Sequence, residues 1–573
     1  MMRHLLTFLA ALAISCGSAL WAEDPAPAAT PAAAAPAAAA APAADAKPAE
    51  APATGPGSEI EKRIKGAHQW FGYTYVPYTD DDKKAWAEAE EKLKKDPNDK
   101  DAKAVLDAKK AMDDIPYKDK AEKEVAVANA LNDGDNGWMM ISTAIVLMMT
   151  IPGLALFYGG LVRKKNVLST MMHSWILCGV ITMLWVVFGF SWAFGGGPVG
   201  ADGAPTAMAA YFGGWDFTML KGVLFDPSLY TTSQRFVING DYAPTISFGV
   251  FCMFQLMFAI ITPALISGAY AERIKFSGML VFTVIWFCFC YLPMAHMVWG
   301  KNGLFNWGFG ASDWAAFDFA GGTVVHISSG VAALMAAIIL GKRKGSPETP
   351  MPPHSLVLSV IGAALLWVGW YGFNAGSALG ASGLSVVAFV NTTIATAAAS
   401  LTWPLAEWII RGKPTVLGSI SGAVAGLVAI TPACGFVDVG GALAIGLIVG
   451  GLCFASTSYL KRALGYDDAL DAFGVHGVGG MFGAIATGVF LNVESNPAIA
   501  ALNPDLYRAI VGGQSMVGHQ IKAVVITVVL SAVVATVGLL IAKFTVGLRA
   551  TAEDENEGLD LSQHGEEGYH GVG

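Results

Sequence analysis

From Gly137 onward the chain returns repeatedly to apolar stretches long enough to cross the ~30 Å hydrocarbon core of a bilayer. Eleven can be counted, at roughly 138–161, 167–194, 245–270, 277–299, 318–341, 355–378, 384–410, 415–434, 440–460, 472–491 and 516–543. A backbone in oil must satisfy its own N–H and C=O groups, which leaves helices or a closed barrel. Barrel strands need only ~10 residues and alternate in polarity, so runs of this length are helices. The balance of 54% hydrophobic to 14% charged residues and a mean hydropathy of +0.50 agree. The 66 glycines supply the small surfaces through which membrane helices approach one another. The expected fold class is an all-α membrane protein with eleven transmembrane helices.

Basic residues orient these spans. With the N-terminus outside, the inner connections hold Arg163, Lys164, Lys165, Arg273, Lys275, Lys342, Arg343, Lys344, Arg411, Lys413, Lys461 and Arg462, and the outer ones Lys221, Arg235, Lys301 and Arg508. Twelve against four follows the positive-inside rule, and an odd number of crossings leaves the C-terminus in the cytoplasm. Ahead of the spans, residues 1–22 have the layout of a signal peptide: Arg3, an apolar run from Leu5 and small residues, with cleavage after Ala19 or Ala22. "AISC" faintly resembles a lipoprotein box around Cys16, with Ala13 a poor match at its first position. Residues 23–57 are an Ala/Pro-rich linker, and 58–134 a charged helical extracytoplasmic segment in which "DPND" breaks two amphipathic stretches into a hairpin. The membrane domain then runs over 135–548 and a cytoplasmic tail over 549–573. The net charge of −9, with no concentrated basic face, excludes nucleic-acid binding. The seven cysteines fall mainly in apolar runs without metal-ligand spacing and read as small core residues.

Eleven spans divide as five plus five plus one, and an odd-numbered unit inserted twice must invert, which predicts two five-helix inverted repeats plus one extra helix. Span 5 enters from outside as Asp318…His326 and span 10 from inside as Asp471…His476. At 1.5 Å per residue the histidines lie ~12 Å and ~8 Å from their aspartates, so both approach the midplane from opposite faces. Each aspartate reads first as a helix cap that accepts free backbone N–H groups, although Asp318 could also lend negative potential to an outer cation site. A lone intramembrane histidine is usually a helix-to-helix hydrogen-bond partner. Two at matched depth form a pore pair that can share a proton and pass hydrogen-bonded material. Along the same path lie Phe254 and Phe258 one turn apart on span 3, Trp299 at the outer end of span 4, and Trp370, Phe373 and Ser377 on span 6. Each aromatic alone reads as packing, whereas together they offer ring faces and a hydroxyl to a small cation.

The segments "MMTIPGLALFYGGLVRKKNVLS", "GAYAERIKF", "AHMVWG", "DFAGGTVVHI", "GWYGFNAGSA" and "DAFGVHGVGG" resemble the signature segments of the ammonium transporter (Amt/Mep) family, relatives of the Rhesus proteins, and the likeness covers about 137 to 565. The resemblance implies a transporter, not an enzyme, with no cofactor or metal, in the bacterial inner membrane, and an ammonium transporter domain over 135–548. It assigns ammonium, with methylammonium as analogue, to an external recruitment site of Trp299, Phe258 and Ser377 supported by Asp318. Phe258 and Phe373 become a stacked gate, and His326 and His476 the twin histidines of an apolar pore with Trp370 in its wall. It also implies a homotrimer and a tail, "EGLDLSQHGE", that docks on P-II-type nitrogen regulators. Three extracytoplasmic stretches depart from the family: the long N-terminal segment, the loop 195–244 and the insertion between Trp299 and Asp318.

Two other classes compete. An ammonium sensor or transceptor shares the fold but is usually fused to a signalling domain, for which the short tail after Arg549 leaves little room. A bis-histidine haem protein would use the same two imidazoles for iron. Away from the path, His296 and His173 read as structural, Glu407 and Arg411 as an (i, i+4) ion pair, and His354, His519, His564 and His570 receive no role.

Overall fold

In the computed structural model, residues 80–96, 99–100, 102–103, 106, 132–200, 204–224, 237–308 and 313–569 are described. The expected signal peptide, Cys16 and the linker lie outside them. So does most of the 58–134 segment, of which one arm of the expected hairpin is described as a helix, Asp80–Lys95. The described residues contain no β-strand. Among the described residues nine helices are long and apolar enough to cross a membrane: α1 (Asp133–Leu161), α2 (Lys164–Phe194), α3 (Phe248–Tyr270), α4 (Phe276–Trp299), α5 (Gly322–Leu340), α6 (Leu356–Ala378), α7 (Gly383–Arg411), α9 (Val439–Leu464) and α11 (Val517–Thr545). Two shorter apolar helices, α8 (Val416–Ile430) and α10 (Phe473–Val489), fall where the remaining two spans are expected.

Helix starts follow capping chemistry. Asn132, Ser247, Ser355, Ser382, Thr415 and Asp438 stand at the N-caps of α1, α3, α6, α7, α8 and α9, each side chain accepting a backbone N–H of the first turn. In a low-dielectric setting an orphaned N–H is costly, so these polar residues end the apolar runs sharply. One boundary differs from expectation. The fifth span was expected from Asp318, but the helix begins at Gly322, because Asp318 to Gly321 form the capping turn and Gly321 takes the left-handed φ of 111° that halts a helix.

The first turns of α5 (Gly322–Ile327) and α10 (Phe473–Gly477) are both wide π-type turns, and each holds a histidine. Such turns are rare and concentrate at functional sites, since they re-aim side chains without ending the helix. The two helices touch each other near the centre of the bundle. A Cβ on Gly330 of α5 would overlap the backbone N and Cα of Gly477 on α10, and one on Gly480 would lie 3.0 Å from Cβ of His326. Main chain therefore meets main chain at this crossing.

One end of the bundle carries a buried charge network. The Glu272 carboxylate, in the α3–α4 connection, accepts from the Arg163 backbone N–H (2.7 Å) and Nε (3.0 Å), Asn166 Nδ2 (3.2 Å) and Arg343 Nη1 (3.1 Å). Arg343, after α5, also grips Asp467, before α10, through Nε at 3.0 Å and Nη2 at 2.8 Å. Burial pushes the Asp467 carboxyl up, but Arg343 more than offsets this and holds it down to about 2. The tail joins as two short helices, α12 (Ala552–Glu557) and α13 (Leu559–His564). Arg549 pairs with Glu555 at 2.6 Å, and the Asp560 carboxylate accepts the Leu168 and Ser169 N–H groups at 3.0 and 2.7 Å, capping the first turn of α2 from outside. At the same end Glu407 pairs with Arg411 at 3.5 Å as expected and also accepts the Thr415 N–H and hydroxyl.

Candidate functional site

At the opposite, loop-rich end a cavity of about 320 Å³ is lined by Trp299, Phe258, Ser377, Asp318 and Gln255, among others. Trp299 closes the α4 helix and donates its indole N–H to the backbone carbonyl of Asp318 at 3.2 Å, which fixes the ring over the cavity. It meets Phe258 edge-on, with centroids 5.8 Å apart. Ser377 donates its hydroxyl to the Phe373 carbonyl at 2.7 Å, so its oxygen is left with lone pairs for a donor in the cavity. The floor is a stack of Phe258 on Phe373, with centroids 4.1 Å apart and planes 22° from parallel. Both rings are almost wholly buried.

Beneath the stack lie Trp370 and two imidazoles. Trp370 lies nearly parallel to His326 at 5.4 Å, and His326 nearly parallel to His476 at 5.4 Å. The Trp370 N–H is tied to Thr431 Oγ1 at 2.8 Å, which holds the indole flat against His326. The two histidines meet through Nδ1 at 3.4 Å, and His326 Nε2 is buried with no protein partner. If one Nδ1 carries the shared proton, that ring must present a bare Nε2 and the other an Nε2–H, so the pair offers one acceptor and one donor. Below His476 a second cavity, of about 310 Å³, opens toward the charged end and is lined by Asp471, Lys461, Glu407 and Arg411. Two cavities are thus separated by a closed aromatic stack and an imidazole pair. The stacked rings leave no slot for a haem macrocycle between the imidazoles, and no group of three or more His, Cys, Asp or Glu side chains among the described residues is placed to hold a metal.

The expected residues thus come together, with one correction among the caps. Asp318 caps as expected: Oδ1 accepts Gly321 N (2.7 Å) and Gly322 N (2.6 Å), and Oδ2 accepts Thr323 N (2.8 Å), the Thr323 hydroxyl and, at 3.4 Å, Val324 N. Asp471 does not cap α10. It sits in the left-handed region at φ 60° with its side chain on Lys461, and Asp468 takes the cap, accepting Phe473 N at 2.7 Å. Asp471 is therefore the counterpart of Gly321, and Asp468 that of Asp318. The signal was present as equal spacing, since 326 − 318 and 476 − 468 are both eight. Two further residues went unread: Gln255, three positions before Phe258 on the same helical face, and Thr431, the anchor of Trp370. His296 is structural as expected, bonded to the carbonyls of Ala193 (2.9 Å) and Ala209 (2.8 Å).

The sequence profile of the Ammonium Transporter Family matches residues 137–569. The chain belongs to that family. It is 47% identical over 436 residues to an ammonium transporter of Bacillus subtilis, covering 76% of this chain and 98% of that protein. Its fold is similar to the crystal structure of Saccharomyces cerevisiae Mep2, with a TM-score of 0.64 and 30% identity over 74% of this chain and 89% of the other. It is also similar to a structure named Sensor Amt Protein, with a TM-score of 0.63 and 25% identity over 77% of this chain and 100% of the other. An Ammonium Transporter Family fold accounts for the all-helical architecture and the multi-pass membrane character alike.

Proposed function

We propose that the chain carries ammonium across the membrane by taking it apart and passing the pieces. NH4+ collects between the Trp299 and Phe258 rings, where a desolvated cation gains ~2 kcal/mol, and donates to Ser377 Oγ. Asp318 supports the site indirectly, holding Trp299 by its carbonyl and adding negative potential. The Phe258–Phe373 stack then opens by ring rotation. The apolar passage below gives a bare cation no replacement for water, so the ion sheds a proton and neutral NH3 proceeds along His326 and His476. Potassium, close to ammonium in size and charge, has no proton to lose and is rejected by the same barrier. The carrying observation is the imidazole pair, with the His326 Nε2 lacking a protein partner, behind a closed aromatic stack. A proton that hops separately between the two Nδ1 atoms would make the net cargo NH4+.

The rest of the architecture follows the same reading. All inner connections of an eleven-span topology meet in the charged network or beside it, which supports eleven crossings, two five-helix inverted repeats plus one, and a cytoplasmic tail. The family resemblance adds a homotrimer with a pathway in each subunit, a P-II-type regulator at the tail, and a bacterial inner membrane with 1–22 as signal peptide and 23–57 and 58–134 outside. The similarity to Sensor Amt Protein keeps a sensing role in view, but the higher identity is with a protein named for transport.

Reconstituted protein tests this directly. Flux and current with ammonium, methylammonium and K+ are expected to show transport of the first two only. His326→Ala and His476→Ala are each expected to abolish flux or admit K+. Unaltered flux and selectivity in both variants would remove the assigned roles, and a wild type that binds but never carries ammonium would favour the sensor.

A further inference from the structure

The equivalence of Asp318 and Asp468 makes their differences informative. Asp318 is surrounded by donors on both oxygens, whereas Asp468, fully buried, accepts the Phe473 N–H on Oδ2 with the Ala472 N–H beside it, and its Oδ1 has no partner. A buried carboxylate with a bare oxygen is a poor resting state, and a protonated carboxyl removes the charge. The surroundings press the same way. Asp471, three residues on, contributes a second negative charge, and Tyr466 from the same connection and Tyr158 from α1, which also face the group, bring no positive charge to balance it. Lys461 from α9 and Arg273 from the α3–α4 connection oppose them, but Lys461 is engaged by the Asp471 carboxylate and the Asp468 carbonyl, and Arg273 by the carbonyls of Gly341, Ala271 and Asp467. Burial first and Asp471 second push the Asp468 carboxyl up to about 6, close to the pH of a cytoplasm.

The inner end of the pathway offers such a group a use. Ammonia that leaves past His476 enters a cavity lined by Asp471 and Lys461 and has to regain a proton before it is trapped as an ion. We propose that Asp468, buried directly behind the 469–472 wall of this cavity and joined to it through Lys461, is a proton-exchange residue, which stores a proton as a neutral carboxyl, delivers it to emerging ammonia by way of Asp471 and Lys461, and recovers it from the cytoplasm. In the delivery step the carboxyl O–H bond breaks and an N–H bond forms, giving NH4+ and a carboxylate. A hydronium ion from the cytoplasmic side then returns the proton and leaves water, so no redox partner is required. The inference rests on the transport reading above and adds a residue to it.

Infrared difference spectroscopy on the reconstituted wild type is expected to show the C=O band of a protonated carboxyl that titrates around pH 6. Asp468→Asn, which keeps an oxygen for the Phe473 N–H, should lose that band. Ammonium uptake should decline as the pH on the tail side rises, up to about tenfold per unit above the midpoint. Asp468→Asn should flatten that dependence and Asp468→Glu restore it, which a purely structural cap would not do. A conducting wild type without the band, or an Asn variant with an unchanged pH profile, overturns this inference alone. A wild type that carries no ammonium overturns the transport reading and this inference with it.

Discussion

The two ends of the pathway are built from one turn used twice. Each has an aspartate, a left-handed residue three positions later, an N–H five positions later that the carboxylate accepts, and a histidine eight positions later. What differs is the number of donors. In the first half Gly321, Gly322 and Thr323 bring several N–H groups and a hydroxyl onto the carboxylate, so both of its oxygens are engaged. In the second half Asp471, Ala472 and Phe473 occupy those positions, no hydroxyl is on offer, and one oxygen is left bare. The same backbone path thus yields a carboxylate with both oxygens engaged at one end and one with a bare oxygen at the other. Donor count, rather than position, separates structure from chemistry.

The comparison can be broken by substitution. Asp318→Ala would leave several buried N–H groups unpaired and should cost ~3–5 kcal/mol, whereas Asp468→Ala removes only the cap contacts of the Phe473 and Ala472 N–H groups and should cost ~1–2 kcal/mol. Thermal unfolding in detergent measures both, and equal losses would show that the two carboxylates are energetically alike. Gly330→Ala at the α5–α10 crossing should destabilise by up to ~3 kcal/mol and reduce flux, because the added methyl meets main chain. Gly451→Ala on α9, with nothing within 4 Å, is the control and should be neutral or mildly stabilising.

A third prediction concerns pH. The folded Asp467 carboxyl, held at about 2, lies below its ordinary 3.8, so its stabilising contribution is complete above the ordinary value and is lost as pH falls through the folded one. Unfolding midpoints should drop between about pH 4 and 2 by the equivalent of roughly 2 kcal/mol, and Asp467→Asn should remove that part of the slope. An unchanged slope would uncouple Arg343 from the α10 cap. The smallest effect is expected for Asp471→Gly. Glycine relieves a left-handed residue while the half-exposed pair with Lys461 is lost, so the stability change should stay within ~1 kcal/mol. A larger loss would mean that the Asp471 charge, and not only its backbone, is needed at the inner mouth.

Much of this was legible in the sequence because membrane insertion writes itself into hydropathy. The nine long helices and the two short ones lie where apolar runs and Ser, Thr, Asn or Asp caps place them. His326, His476, Trp299, Phe258, Phe373, Trp370 and Ser377 were identifiable through the motifs that carry the family resemblance. Asp468 was not, since the carboxylate nearest His476 in sequence is Asp471 and a left-handed residue cannot be read from hydropathy. Gln255 was hidden inside an apolar run. The docking of Asp560 on the first turn of α2 joins residues almost four hundred positions apart, and no local period reports such a contact.

At the crossing of α5 and α10 nothing soft lies between the two backbones. The separation of the two histidine backbones is consequently set by main-chain contact and not by intervening side chains that can shift rotamer to absorb a disturbance. Any force that slides one helix along the other, whether bilayer thickness or a protein pulling on the tail, reaches the gap between the rings without a cushion, and the ease of handing a proton across that gap changes with it.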